Sequence, residues 1–204
     1  MLTKEDVHQI LSIKGEIRGI MSHMADAVRE KGGRDELKKV EELLKKLECP
    51  MPYSELSKIR FYKIGKILLY LMAIREVLGW QEKEFKEMGR IVGKNLIIFK
   101  LLSPFLKISK DFVFKDMPRI SRKYIKDLKI IPLKADIKKK VIIFKVKGMQ
   151  ADKENKAIRE AKKIAFSYLE GLTASWAQMV LGSESVQCKI QPESDYEFKF
   201  VITW

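Results

Sequence analysis

Apolar residues in the last third of the chain repeat first with a helical period and then with an extended one. From Asp152 to Leu181, Ala157, Ala161, Ile164, Ala165, Tyr168, Leu172, Trp176 and Met179 recur at mostly three- and four-residue steps, the spacing of one face of a long helix. Gly182 ends it. Val186, Cys188 and Ile190 then alternate with polar neighbours, Pro192-Glu193-Ser194-Asp195 turns the chain, and Tyr196, Phe198, Phe200, Ile202 and Trp204 alternate again. A helix followed by a hairpin of this pattern is one layer of an α/β sandwich.

Earlier in the chain the periods are mostly helical. Ile10, Ile13, Ile17, Ile20, Met24 and Ala27 form a narrow seam, Lys31-Gly32-Gly33 interrupts it, and Leu37, Val40, Leu44 and Leu47 resume it. These predict a helical hairpin over residues 1–50, closed at Cys49-Pro50-Met51-Pro52. Tyr53 to Gly79 is apolar nearly all round, which predicts a helix through the interior. A further helix runs from Glu82 towards Leu102, with Gly89 and Gly93 spaced to admit another backbone. A short helical stretch is predicted from about Asp116 to Leu128. Ile130–Ala135 and Lys140–Lys147 read as strands with a turn at Asp136–Lys139. The order predicts an α+β fold: an antiparallel sheet of about four strands against several helices over residues 51–204, preceded by the hairpin.

Composition adds a charge asymmetry. The formal net charge is +14, and fifteen Lys and Arg against four Asp fall between Lys100 and Gly148. A field of one sign attracts nucleic acid, anionic lipid or an acidic protein surface; lysines solvating an outer sheet face produce the same composition. Arg119, Arg122, Lys123, Lys138, Lys139 and Lys140 are the candidates for an anionic partner. The nucleic-acid reading has only Phe112, Phe114 and Tyr124 as interleaved stacking groups and no recognised binding motif. Two cysteines, Cys49 and Cys188, do not make a disulfide framework, and no signal-peptide pattern precedes Lys4, so a reduced, cytoplasmic chain is expected.

The strand pair Ile130–Lys147, the helix containing Phe166-Ser167-Tyr168-Leu169-Glu170-Gly171 and the hairpin ending Phe200-Val201-Ile202-Thr203-Trp204 resemble a 4-vinyl reductase type of domain. That domain belongs with haem-nitric-oxide-binding domains and subunits of the TRAPP vesicle-tethering complex. The resemblance spans roughly residues 53–204. It implies a pocket between helices and sheet for a hydrophobic or small organic ligand, a sensory or regulatory role, and association as a homodimer. Two departures bear on haem. The only histidines are His8 and His23, both in the N-terminal hairpin, and the strand that carries a Tyr-x-Ser-x-Arg contact in haem-binding relatives reads Phe144-Lys145-Val146-Lys147-Gly148. The sequence therefore predicts no haem and no other cofactor. Cys188 stands without the clustered cysteines of many 4-vinyl reductase domains, so no metal site is expected.

Phe61, Tyr70, Phe166, Tyr168 and Trp176, placed on the two helices expected to enclose the interior, are the candidate ligand-facing set; core packing is the competing account of each. No residue is assigned to catalysis, because Cys188 lies in the inward phase of its strand and reads as a small hydrophobe. Glu170 stands either at a pocket edge or in solvent. The favoured function is a non-catalytic sensory module with a small apolar or amphipathic ligand. A protein-interaction or tethering module acting through the basic segment and hairpin is the alternative.

Overall fold

The computed structural model describes residues 2–96, 118–119, 121–151 and 155–204. Its elements are α1 (Lys4–Leu11), β1 (Glu16–Arg18), α2 (Ile20–Lys46), β2 (Phe61–Lys63), α3 (Ile64–Leu78), α4 (Glu82–Asn95), β3 (Ile125–Lys126), β4 (Lys129–Asp136), β5 (Val141–Lys147), α5 (Lys156–Leu181), β6 (Gln187–Ser194) and β7 (Glu197–Thr203). Two antiparallel sheets result, a small one ordered β2-β1-β3 and a larger one ordered β4-β5-β7-β6. The expected α+β class with a four-stranded sheet is observed; the small sheet is an addition to it.

The small sheet accounts for three departures from the expected elements. The seam through Ile17 does not continue as a helix, because Gly15 (φ 108°) and Gly19 (φ 70°) are left-handed on either side of β1. Ile17 pairs instead with Tyr62 and Ile125. The interior helix begins at Ile64 rather than Tyr53, since Phe61–Lys63 is extended and hydrogen-bonded to β1. Ile125–Lys126, expected to be helical, is a strand for the same reason. In the earlier half of that expected helix Pro118, Arg119 and Ser121 are helical, while 116, 117 and 120 lie outside the described residues. The break at Gly33 is observed, with non-helical φ/ψ inside α2.

Local signals set the helix ends. Thr3 and Asp6 form a capping box at α1, and Gln81 and Glu84 form one at α4. Asn155 caps α5 by accepting from the Ile158 N–H at 2.8 Å, and left-handed Gly182 closes it. α3 is buried on every side from Ile67 to Ile74, as its unbroken apolar run requires.

α5 lies between α4 and the larger sheet. Against α4 it comes to backbone contact: a Cβ on Gly171 would stand 1.9 Å from the Lys86 carbonyl oxygen, and one on Gly89 2.0 Å from that of Tyr168. Glycine is required there by space rather than by φ. Against the sheet, Ala174, Trp176, Ala177, Val180 and Leu181 pack on Ile142, Phe144, Cys188 and Ile202. β6 and β7 follow their predicted alternation, except that β6 runs on through Ser194 and the turn falls at Asp195-Tyr196. The opposite sheet face carries an ion cluster. Lys145 contacts Glu193 at 3.0 Å and Glu197 at 2.5 Å, Lys147 contacts Glu197 at 2.6 Å, and Lys199 pairs with Glu193.

Candidate functional site

Where the two sheets and α5 converge, the packing leaves a chamber of about 190 Å³. Its described wall comes from widely separated parts of the chain. Ile17 and Ile125 face it from the small sheet, Ile130, Phe144 and Phe200 from the larger one, and Leu169, Leu172, Thr173 and Trp176 from α5. Ile20 and Leu96 complete the apolar part, and Arg18, Ser121 and Tyr124 are the other polar residues at its border. The Ser121 hydroxyl donates to the Pro118 carbonyl oxygen at 3.1 Å, and Arg18 Nε donates to the Ile59 carbonyl oxygen at 2.8 Å. An apolar wall with a few fixed polar groups at its rim suits a hydrophobic or amphipathic molecule.

Of the five aromatic candidates, only Trp176 borders this chamber. Phe61 is not on a helix but on β2, under the Lys126 ammonium at 4.1 Å and the Arg18 guanidinium at 5.7 Å from its ring centroid. Phe166 is half-buried against Phe198, with centroids 5.1 Å apart, in a surface cleft beside Met149 and Lys162. Tyr70 and Tyr168 are core residues, 0% and 1% exposed, and neither hydroxyl has a hydrogen-bond partner among the described residues. Burial pushes both phenols well above their ordinary range, with the Glu41 and Asp26 charges adding to the shift at Tyr70. Phe144, Phe200 and Tyr124 were legible as aromatic but not as neighbours, because nothing in their local pattern reports which sheets converge.

Glu170 has a defined place that its spacing left open. One carboxylate oxygen accepts from the Ile190 N–H of edge strand β6 at 2.9 Å, and the other meets Lys86 of α4 at 2.9 Å. It ties three elements together. Cys188 lies near this pair; burial foremost, with the Glu170 charge, raises its thiol to about 12. Cys49 is also buried and its thiol is raised by desolvation.

The six basic candidates are exposed and fall into two sets. Arg119, Arg122 and Lys123 precede β3, while Lys138, Lys139 and Lys140 occupy the turn after β4. The eight-residue β4 separates the sets by roughly 25 Å at strand rise. Lys145 and Lys147 of the same segment are neutralised by Glu193 and Glu197, so part of the sequence-level charge excess is absorbed within the larger sheet.

No protein-family model matches the sequence, and no curated protein matches it. The structure does match solved structures of H-NOX proteins. One from K. algicida superposes with a TM-score of 0.55 at 13% identity, covering 92% of this chain and 96% of that one. A double variant of Tt H-NOX gives 0.56 at 14% identity, covering 91% and 93%, and a Cs H-NOX variant 0.56 at 15%, covering 90% and 93%.

The fold is therefore H-NOX-like. This corrects the expectation of no cofactor and no haem. The matched proteins include one described as an Fe(II) unliganded H-NOX protein and others described by heme or porphyrin distortion. The two histidines stand apart from the chamber: His8 is exposed on α1, and His23 is buried on α2. Among the described residues at the chamber wall, Tyr124 carries an iron-ligating group, a phenol, and Arg18 carries a cation suited to a carboxylate.

Proposed function

We propose that the chain is a non-catalytic sensory module that holds a small apolar or amphipathic ligand in the chamber between the two sheets and α5. The observation that supports this reading is the chamber itself, whose wall is drawn from α2, α5 and both sheets, so that an occupant touches elements otherwise far apart in sequence. A ligand favours the arrangement of those elements that it contacts best, which is how occupancy becomes a signal. The fold shared with H-NOX proteins makes haem the first ligand to test. Haem would supply the iron chemistry; Leu169, Leu172, Phe144 and Phe200 would flank the ring, Tyr124 would be offered to the metal and Arg18 to a carboxylate. Because the chamber of about 190 Å³ is below the roughly 300–1,000 Å³ of pockets for drug-sized ligands, its walls would have to part to admit the ring. The 4-vinyl reductase-like character and the pairing of two copies belong to the same proposal.

Haemin titration followed by visible absorbance tests it. Saturable binding of one haem per chain, abolished by Thr173→Trp and shifted in spectrum by Tyr124→Phe, is the expected result. If haem does not bind, a panel of apolar carboxylic acids displacing a fluorescent fatty acid tests the broader form. Failure of both sinks the reading.

A further inference from the structure

Ile59 is 71% exposed, the most exposed large apolar residue among those described. A single exposed aliphatic residue is ordinary on a protein surface. Two observations make this one different.

The first is that its loop is fastened. Arg18 Nε donates to the Ile59 carbonyl oxygen at 2.8 Å, the Gly19 N–H donates to that of Arg60 at 2.8 Å, and the Ser57 N–H donates to the Tyr62 hydroxyl at 2.6 Å. Gly19 packs so closely that a Cβ there would lie 2.2 Å from the Lys58 carbonyl oxygen. Ile59 is thus held out into solvent by a braced turn.

The second is the charge around it. Exposed Lys58 and Arg60 flank it in the chain. Next to them, the pairing of Arg18 with Phe61, and of Glu16 with both Lys63 and Lys126, puts these side chains on one face of the small sheet. Glu16 is the acidic member and is already paired with Lys126 at 3.1 Å. The cations come from three separate stretches of sequence, which is why the charge count along the chain did not reveal them.

We propose that this face docks on an anionic phospholipid surface. Ile59 enters the boundary between headgroups and acyl chains, and Lys58, Arg60 and Lys63 meet the headgroups, while Arg18 braces the loop. A projecting aliphatic tip inside a cationic ring fits a membrane, where burial of apolar surface and attraction to anionic lipid act together. It fits nucleic acid less well: an isoleucine offers no ring for a base, and the Phe61 ring is covered by Arg18 and Lys126 of the same chain. Ile59, Lys58, Arg60 and Lys63 do not line the chamber, and Arg18 is the one residue that borders both.

Co-sedimentation of the full chain with vesicles tests the proposal, comparing phosphatidylcholine alone with equal parts phosphatidylcholine and phosphatidylserine. Binding to the mixed vesicles only is expected. Ile59→Ser lowers that affinity on the order of tenfold, from the lost aliphatic insertion. Lys58→Glu and Arg60→Glu each lower it by at least about fivefold, and raised salt weakens it. A double variant, Lys138→Glu with Lys139→Glu, at the far end of β4, retains most of the binding. The proposal is overturned if mixed vesicles do not sediment the chain, if Ile59→Ser binds like the parent, or if the distant double variant is the one that abolishes binding. It is equally overturned if a single-stranded oligonucleotide, and not the vesicles, binds in a manner sensitive to Arg60→Glu. Circular dichroism of each variant separates loss of binding from loss of fold.

Discussion

Helix α5 meets its two neighbours in opposite ways. Towards α4 it closes to backbone contact, with no space for even a methyl group at Gly171 or Gly89. Towards the sheets, Leu169, Leu172, Thr173 and Trp176 leave a chamber of about 190 Å³. The tight side fixes where the helix is; the open side lets something else decide what the sheets pack against. Rigid placement and an adaptable cavity are therefore supplied by two faces of one element, and the two faces should respond differently to substitution.

The largest effect is expected at the tight face. Gly171→Leu drives a side chain into the Lys86 carbonyl and forces the helices apart, at a cost of about 3 kcal/mol or more. Urea denaturation should show a large fall in midpoint or no cooperative transition. A near-parental midpoint would show that the α4–α5 contact is looser than described. Next comes Glu170→Ala, which removes the acceptor of the Ile190 N–H and the partner of Lys86, costing about 1–3 kcal/mol. Glu170→Gln keeps an acceptor for that N–H and should recover part of the loss. The open face should tolerate more: Thr173→Trp changes stability by about 1 kcal/mol or less, because it fills space already present, yet it blocks ligand uptake. If Thr173→Trp is as damaging as Gly171→Leu, the two faces do not differ and the chamber is closed in solution.

The smallest effect belongs to the outer face of the larger sheet. Glu193 is held below the ordinary carboxylate range by Lys199 and Lys145, and Glu197 by Lys145 and Lys147. A carboxylate lowered on folding stabilises the native state above its unfolded value and loses that contribution as pH falls through the lowered one. Acidification below about pH 4.5 should therefore weaken the sheet slightly in the parent and less in a Glu193→Gln, Glu197→Gln variant. Glu193 is exposed and Glu197 half-buried at the surface, so salt should shrink the difference.

The same contrast explains what the sequence disclosed. α5, β6 and β7 were legible because each buries one side, along the first half of β6 and along most of the other two, and burial on one side imposes a period that seven or more residues make visible. Gly89 and Gly93 announced a close approach, but the partner glycine, Gly171, could be matched to them only in three dimensions. The small sheet was illegible for a different reason. Its strands are two or three residues long and come from positions near 17, 62 and 125, so none carries a period and the pairing is entirely long-range. Ile17 fell into a helical seam by spacing alone, and two left-handed glycines overruled it. That missed sheet is one wall of the chamber and also the cationic face beside Ile59. Of the five aromatic candidates Trp176 borders the chamber and the other four lie elsewhere, and charge crowded in sequence proved to be divided in space.

The central claim is that the open face of α5 holds a ligand. Native mass spectrometry of the purified chain, with and without haem supplied during expression, tests it most directly when gentle and denaturing conditions are compared with Thr173→Trp alongside. The account predicts a non-covalent mass retained under gentle conditions, released on denaturation, and missing from the variant. A bare parental chain in both preparations, or a retained mass that the filled chamber does not displace, would contradict it.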